Sequence, residues 1–98
     1  MTKSTYELQH RAVLESLRER GSMATYVIRN TVAMREGEKT AKWPGATTST
    51  VLRACRRLER QGLVEQVSTS YRVMLSWRIT PGGRHVLNDI EVTEATHG

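Results

Sequence analysis

Four arginines, Arg53, Arg56, Arg57 and Arg60, crowd into two helical turns of the segment Thr47 to Gly62, TTSTVLRACRRLERQG. At roughly 100° per residue, Val51, Leu52, Ala54, Cys55 and Leu58 fall on one side of such a helix and the four arginines on the other. One face can pack while the other presents guanidinium groups. Each guanidinium is planar, permanently charged and able to bond bidentately to phosphate oxygens or to guanine O6 and N7, so the face has the chemistry of a nucleic-acid surface. The plainer reading of the same pattern is a solvated basic face. Four hydroxyls, Thr47, Thr48, Ser49 and Thr50, open the segment, and Ser68-Thr69-Ser70 with Arg72 form a second polar group farther on.

Catalytic chemistry finds no such grouping. His10, His85 and His97 stand apart, without Cys or carboxylate at metal-ligand spacing, so neither a metal nor a cofactor is expected. A nucleophile elbow, a P-loop and a dinucleotide fingerprint are absent from the sequence, and the chain reads as a non-enzyme. Cys55 lies on the apolar face of its helix and reads as a core thiol.

The charge agrees with a polyanionic partner. The 98 residues carry a net +5 with a sequence pI near 10, which excludes an acidic mimic of nucleic acid. Between Ser49 and Arg84 seven arginines meet only two glutamates, so this segment alone accounts for the excess. Hydrophobic residues make up 38%, with two Trp, three Tyr and no Phe. That is one small domain with a modest core, and a homodimer would cover residual apolar surface. No apolar run reaches the ~20 residues that span a bilayer, and MTKSTYELQHR lacks the apolar stretch of a secretory signal. The expected location is cytoplasmic, at the nucleoid, with no membrane contact.

The arginine segment needs a frame. Ser4-Thr5-Tyr6-Glu7 has capping-box spacing and opens a helix to about Arg20, stopped by Gly21, with Tyr6, His10, Val13, Leu14 and Leu17 inward. A second helix covers Ala24 to about Arg35, with Val27, Ile28 and Thr31 or Val32 as its inner stripe. Glu36 to Ala46 is a connection in which Trp43, before Pro44, serves as an apolar anchor. The arginine helix starts near Thr47 or Thr48 and stops at Gly62, a left-handed cap. Beyond it the period becomes two: Leu63 to Val67 is a strand, Ser68-Thr69-Ser70 a turn, and Tyr71 to Ile79 a strand with Tyr71, Val73, Leu75, Trp77 and Ile79 on its buried face. Thr80-Pro81 caps a last helix through about Ile90, and Pro81-Gly82-Gly83 reads as a helix start with close packing. The domain is placed at residues 1–90, with 91–98 a frayed tail.

The order helix, helix, arginine helix, hairpin, helix resembles a winged helix-turn-helix domain of the small bacterial or phage regulators of the multiple-antibiotic-resistance and PadR types. The resemblance is carried by Ser49-Thr50-Val51, Arg57-Leu58-Glu59 and Gly62-Leu63-Val64, and by WRITPGGRHVL with Trp77, Ile79, Thr80, Gly83 and Leu87. It covers residues 5 to 90 and departs in two places. About ten residues separate the second and third helices, more than the usual short turn, and the last helix is short for the dimerisation helices of those families. The resemblance implies an α+β, mostly helical fold with a three-helix core, a β-hairpin wing and a C-terminal helix. It further implies sequence-specific binding of double-stranded DNA and transcriptional regulation. The arginine helix would enter the major groove by its N-terminal end, where Thr47, Thr48, Ser49, Thr50 and Arg53 approach base edges, Ser49 and Arg53 foremost. Arg56, Arg57 and Arg60 would meet phosphates or a partner chain, although Arg57 could equally pair with Glu59 or a wing residue. Ser70 and Arg72 at the wing would reach the minor groove or its phosphates, or form a plain solvated turn. A protein-interaction subunit of a replication or recombination assembly, and an architectural or excision-type DNA binder, are the rival functions. RNA binding ranks below them because the aromatics face inward.

Overall fold

The computed structural model describes residues 5–34, 40–67 and 75–97, without the side chains of residues 5, 6 and 97. The described residues form four helices and a small sheet: α1 (Thr5–Arg20), β1 (Met23–Ala24), α2 (Thr25–Ala33), α3 (Thr48–Arg60), β2 (Val64–Val67), β3 (Ser76–Ile79) and α4 (Pro81–His97). All three strands are antiparallel, in the order β1-β3-β2, and the hairpin pairs Val64 with Ile79 and Val67 with Ser76. The expected cap at Ser4, the wing turn and residues 71–74 lie outside the described residues.

The core follows the periodicities. Val13, Leu14 and Leu17 of α1, Ile28 and Val32 of α2, Val51, Ala54, Cys55 and Leu58 of α3, and Val64, Trp77, Ile79 and Leu87 form one buried cluster. Inside it the Trp77 indole N–H donates to the Thr25 hydroxyl at 3.0 Å, and that hydroxyl lies 3.2 Å from the Leu75 carbonyl, which also accepts the Thr25 backbone N–H. The largest core side chain thereby meets its one polar demand and ties β3 to the start of α2.

Three features differ from expectation. A two-residue strand, β1, precedes α2, and its pairing of Met23 with Trp77 and Ala24 with Ser76 turns the hairpin into a three-stranded sheet. Two residues are too few to show a period, so only the tertiary pairing reveals them. α2 ends at Ala33 because Met34 takes an extended conformation, leaving residues 34–47 to reach α3. The last helix does not stop near Ile90: α4 continues to His97, about two further turns. Arg11 of α1 bonds both carboxylate oxygens of Glu94, and Arg18 pairs with Glu91 at 2.6 Å, so the acidic residues assigned to a frayed tail lie along α1.

Close contacts set the α3–hairpin–α4 junction. Gly62 has φ 77°, its N–H bonds the Glu59 carbonyl, and Leu63 N–H bonds that of Leu58, the paired bonds of a Schellman cap. The Thr80 hydroxyl donates to the Gly62 carbonyl and accepts from the Gly83 N–H. A Cβ on Gly83 would lie 2.2 Å from the Leu63 carbonyl oxygen, so only glycine lets α4 start this close to the chain entering β2.

Candidate nucleic-acid interface

α3 is held from three sides. Its apolar face packs on α1 and α2 through Val51, Ala54, Cys55 and Leu58, all essentially inaccessible. Before it, Trp43 is buried, its N–H bonds the Val32 carbonyl at 2.8 Å, and Ala46 N–H returns to the Trp43 carbonyl. The expected anchor is therefore present, its side chain in the core and its backbone fixed to α2. Arg29 of α2 adds a bond from Nε to the Ala46 carbonyl at 3.1 Å. The sequence reading missed it, because nothing local joins Arg29 to a turn 17 residues away.

The hydroxyls at the start of α3 divide into two pairs. Thr47 is the N-cap and forms a reciprocal capping box with Thr50: each backbone N–H donates to the other side chain, at 3.1 and 2.9 Å. Their hydroxyls thus serve the helix end first. Thr48 and Ser49 are exposed, and among the described residues their side chains have no bonding partner.

The arginines divide as well. Arg53 is exposed and has no bonding partner among the described residues, one turn past Ser49. Arg56 leans toward the wing, 3.3 Å from Glu59, with its guanidinium carbon 5.5 Å from the centre of the buried Trp77 ring. Arg60 is exposed and folds back so that Nε bonds the Arg56 carbonyl at 3.4 Å. Arg57 is half-buried and turned toward α1, where it bears on His10. Burial first, and the Arg57 charge second, hold the His10 imidazole below its ordinary pKa. The Glu59 carboxylate bridges Arg56 and Gln66 Nε2 (3.2 Å), joining α3 to β2, a role that sequence spacing did not reveal. On the outer face of the sheet Arg78 pairs with Glu65, its cross-strand partner. Ser70 and Arg72 lie outside the described residues.

The groups suited to other chemistry are placed differently. Cys55 is inaccessible, and burial pushes its thiol up to about 12, the behaviour of an inert core sulfur. Among the described residues no cluster of His, Cys, Asp and Glu could hold a metal ion, and no helix is long and apolar enough to cross a membrane.

No protein-family model matches the chain, and no curated protein matches it. Solved structures do match its fold. The YusO protein from Bacillus subtilis superposes with a TM-score of 0.71 at 18% identity, over 91% of this chain and 58% of that one. A PadR family transcriptional regulator from Eggerthella lenta gives 0.67 at 22% identity, over 92% and 78%. BpsR of Bordetella bronchiseptica, whose DNA binding is regulated by 6-hydroxynicotinic acid, gives 0.61 at 22% identity, over 92% and 59%. The chain spans about three fifths of the length of YusO and BpsR. At these identities the likeness is one of fold, a winged helix-turn-helix.

Proposed function

We propose that the chain is a sequence-specific double-stranded DNA-binding transcriptional regulator that works as a homodimer on a two-fold-related site at the nucleoid. One observation carries the reading. α3 exposes Ser49, Arg53 and Arg60 on a single face, with Thr48 exposed beside them in its first turn, while its opposite face is anchored in the core. A helix held in this way can enter a major groove with hydroxyls and a guanidinium at the base edges. Thr48, Ser49 and Arg53 are the base-reading set, Arg60 meets phosphate, and Ser70 and Arg72 extend the interface from the wing. Thr47 and Thr50 act by fixing the helix start, and Arg56 acts partly through the wing it braces. The fold likeness to transcriptional regulators, one of them a DNA binder, supports the same reading.

Selection of bound sequences from a random duplex library, followed by titration across salt concentrations, tests it. A palindromic consensus and a steep salt dependence are expected. Arg60→Ala should lower the salt slope by about one counterion, whereas Arg53→Ala should cost roughly 1–3 kcal/mol and relax preference at one base pair per half-site. Absence of any enriched duplex would overturn the proposal and favour a protein-interaction role, and a strong bend without sequence preference would favour an architectural one.

A further inference from the structure

On the α1 side of α3 lies an open cleft of about 220 Å³, lined by Gln9, Trp43, Gly45, Thr50, Arg53 and Arg57. Its lining, among the described residues, holds two guanidiniums, an amide and a hydroxyl but no carboxylate. Arg53 and Arg57 are one turn apart, about 6 Å along the helix axis, so both charges bear on the same recess. Trp43 supplies a rigid wall, being buried and fixed to α2 by its backbone bond to Val32. Gly45, at φ 85°, turns the backbone at the mouth without a side chain. Two like charges converging on one polar recess favour an anion that can accept several hydrogen bonds at once, and the space suffices for a tetrahedral oxyanion in place of a few waters of about 30 Å³ each.

We propose that this cleft is a phosphate seat, in which Arg57 and Gln9 bond the oxygens of a single phosphate group while the Arg53 charge, its fork left to the base edges, adds attraction from one turn away. The lowered pKa of His10 fits the same picture, since part of it comes from Arg57, and an anion in the cleft would offset that charge. The phosphate can belong to the duplex backbone beside α3 or to a free phosphate-bearing molecule. The first source rests on the DNA-binding reading above; the second does not.

Two experiments on the intact chain separate these sources. In the first, the selected duplex is made with a neutral methylphosphonate at each backbone position in turn. One position per half-site should weaken wild-type binding about tenfold, a loss of the size expected for a charge-assisted bond. Arg57→Gln and Gln9→Ala, checked for intact folding by circular dichroism, should be indifferent to that position. In the second, inorganic phosphate is titrated into DNA-free protein against chloride at matched ionic strength. Saturable amide shifts at Gly45 and Thr50, with an upward shift of the His10 titration, should appear in wild type and vanish in Arg57→Gln. A positional effect assigns the seat to the DNA backbone, and phosphate shifts alone assign it to a free phosphate compound. Wild-type DNA binding with neither response overturns the seat while leaving the regulator reading intact. A protein that binds no duplex overturns the regulator reading, and the phosphate titration then decides the seat by itself.

Discussion

Replacing Gly83 by alanine probes the closest approach in the fold, and Gly82→Ala beside it is the control. A Cβ at 83 would stand 2.2 Å from the Leu63 carbonyl oxygen and 2.7 Å from Ile79 Cγ1. The carbonyl cannot simply yield, because it accepts the Thr80 N–H at 3.1 Å, and Thr80 in turn caps α4 through its hydroxyl. Overpacking of this kind costs about 1–3 kcal/mol and a lost backbone bond about 1 kcal/mol, against roughly 1 kcal/mol gained from alanine's helix propensity. The net loss is about 2 kcal/mol, a fall in Tm of about 8–16 °C for a domain of this size. At Gly82 the nearest atom to a Cβ is the Gly62 carbonyl oxygen at 3.4 Å, an ordinary contact. Gly82→Ala should therefore match wild type or gain up to about 1 kcal/mol. Thermal and urea unfolding followed by circular dichroism measures both. A Gly83→Ala protein that melts with wild type, or equal losses in the two variants, would refute the close-approach argument.

Thr25→Val should cost about 1–3 kcal/mol by leaving the Trp77 indole N–H without its acceptor, while Thr25→Ser retains most of the stability; the same unfolding curves decide. Arg18→Ala breaks the solvent-screened pair with Glu91, so global stability should change little while amide exchange quickens in the last turns of α4; uniform exchange would deny that pairing a role there. His10 has a folded-state pKa below its unfolded value of 6.5, so the unfolded chain takes up its proton first. Its contribution to stability is therefore complete above pH 6.5 and is lost as pH falls through the lower, folded pKa. His10→Gln should flatten this part of the stability profile, and an unchanged acid slope would exclude His10 from it.

Much of this architecture is readable in order along the chain where local physics decides it. The α3 stripe Val51, Ala54, Cys55 and Leu58 is buried as its spacing predicts, Gly62 caps in the left-handed region, and Trp77 and Ile79 turn inward by alternation. What stayed hidden depends on partners distant in sequence. β1 exists because β3 offers an edge to Met23 and Ala24, and the last turns of α4 run beside Arg11 and Arg18. The same limit applied at the candidate interface. The resemblance implies a phosphate or partner contact for Arg56, and for Arg57 either that or a pairing with Glu59 or a wing residue, yet Trp77 and Glu59 draw Arg56 toward the wing and α1 receives Arg57. Thr47 and Thr50 looked like two more free hydroxyls, whereas their spacing of three residues makes each the other's cap.

The junction at Thr80 closes the hairpin at its base. Its backbone and hydroxyl bond Leu63 and Gly62, immediately outside the first strand pair, Val64 with Ile79. Chain added between Val67 and Leu75 would begin and end at points already fixed by that closure, and doubling such a loop costs only about 0.6 kcal/mol. How far the hairpin extends is therefore nearly decoupled from whether the domain folds. Reach can be lengthened, shortened or given new charges as a separate module, while the helices beneath it keep their geometry.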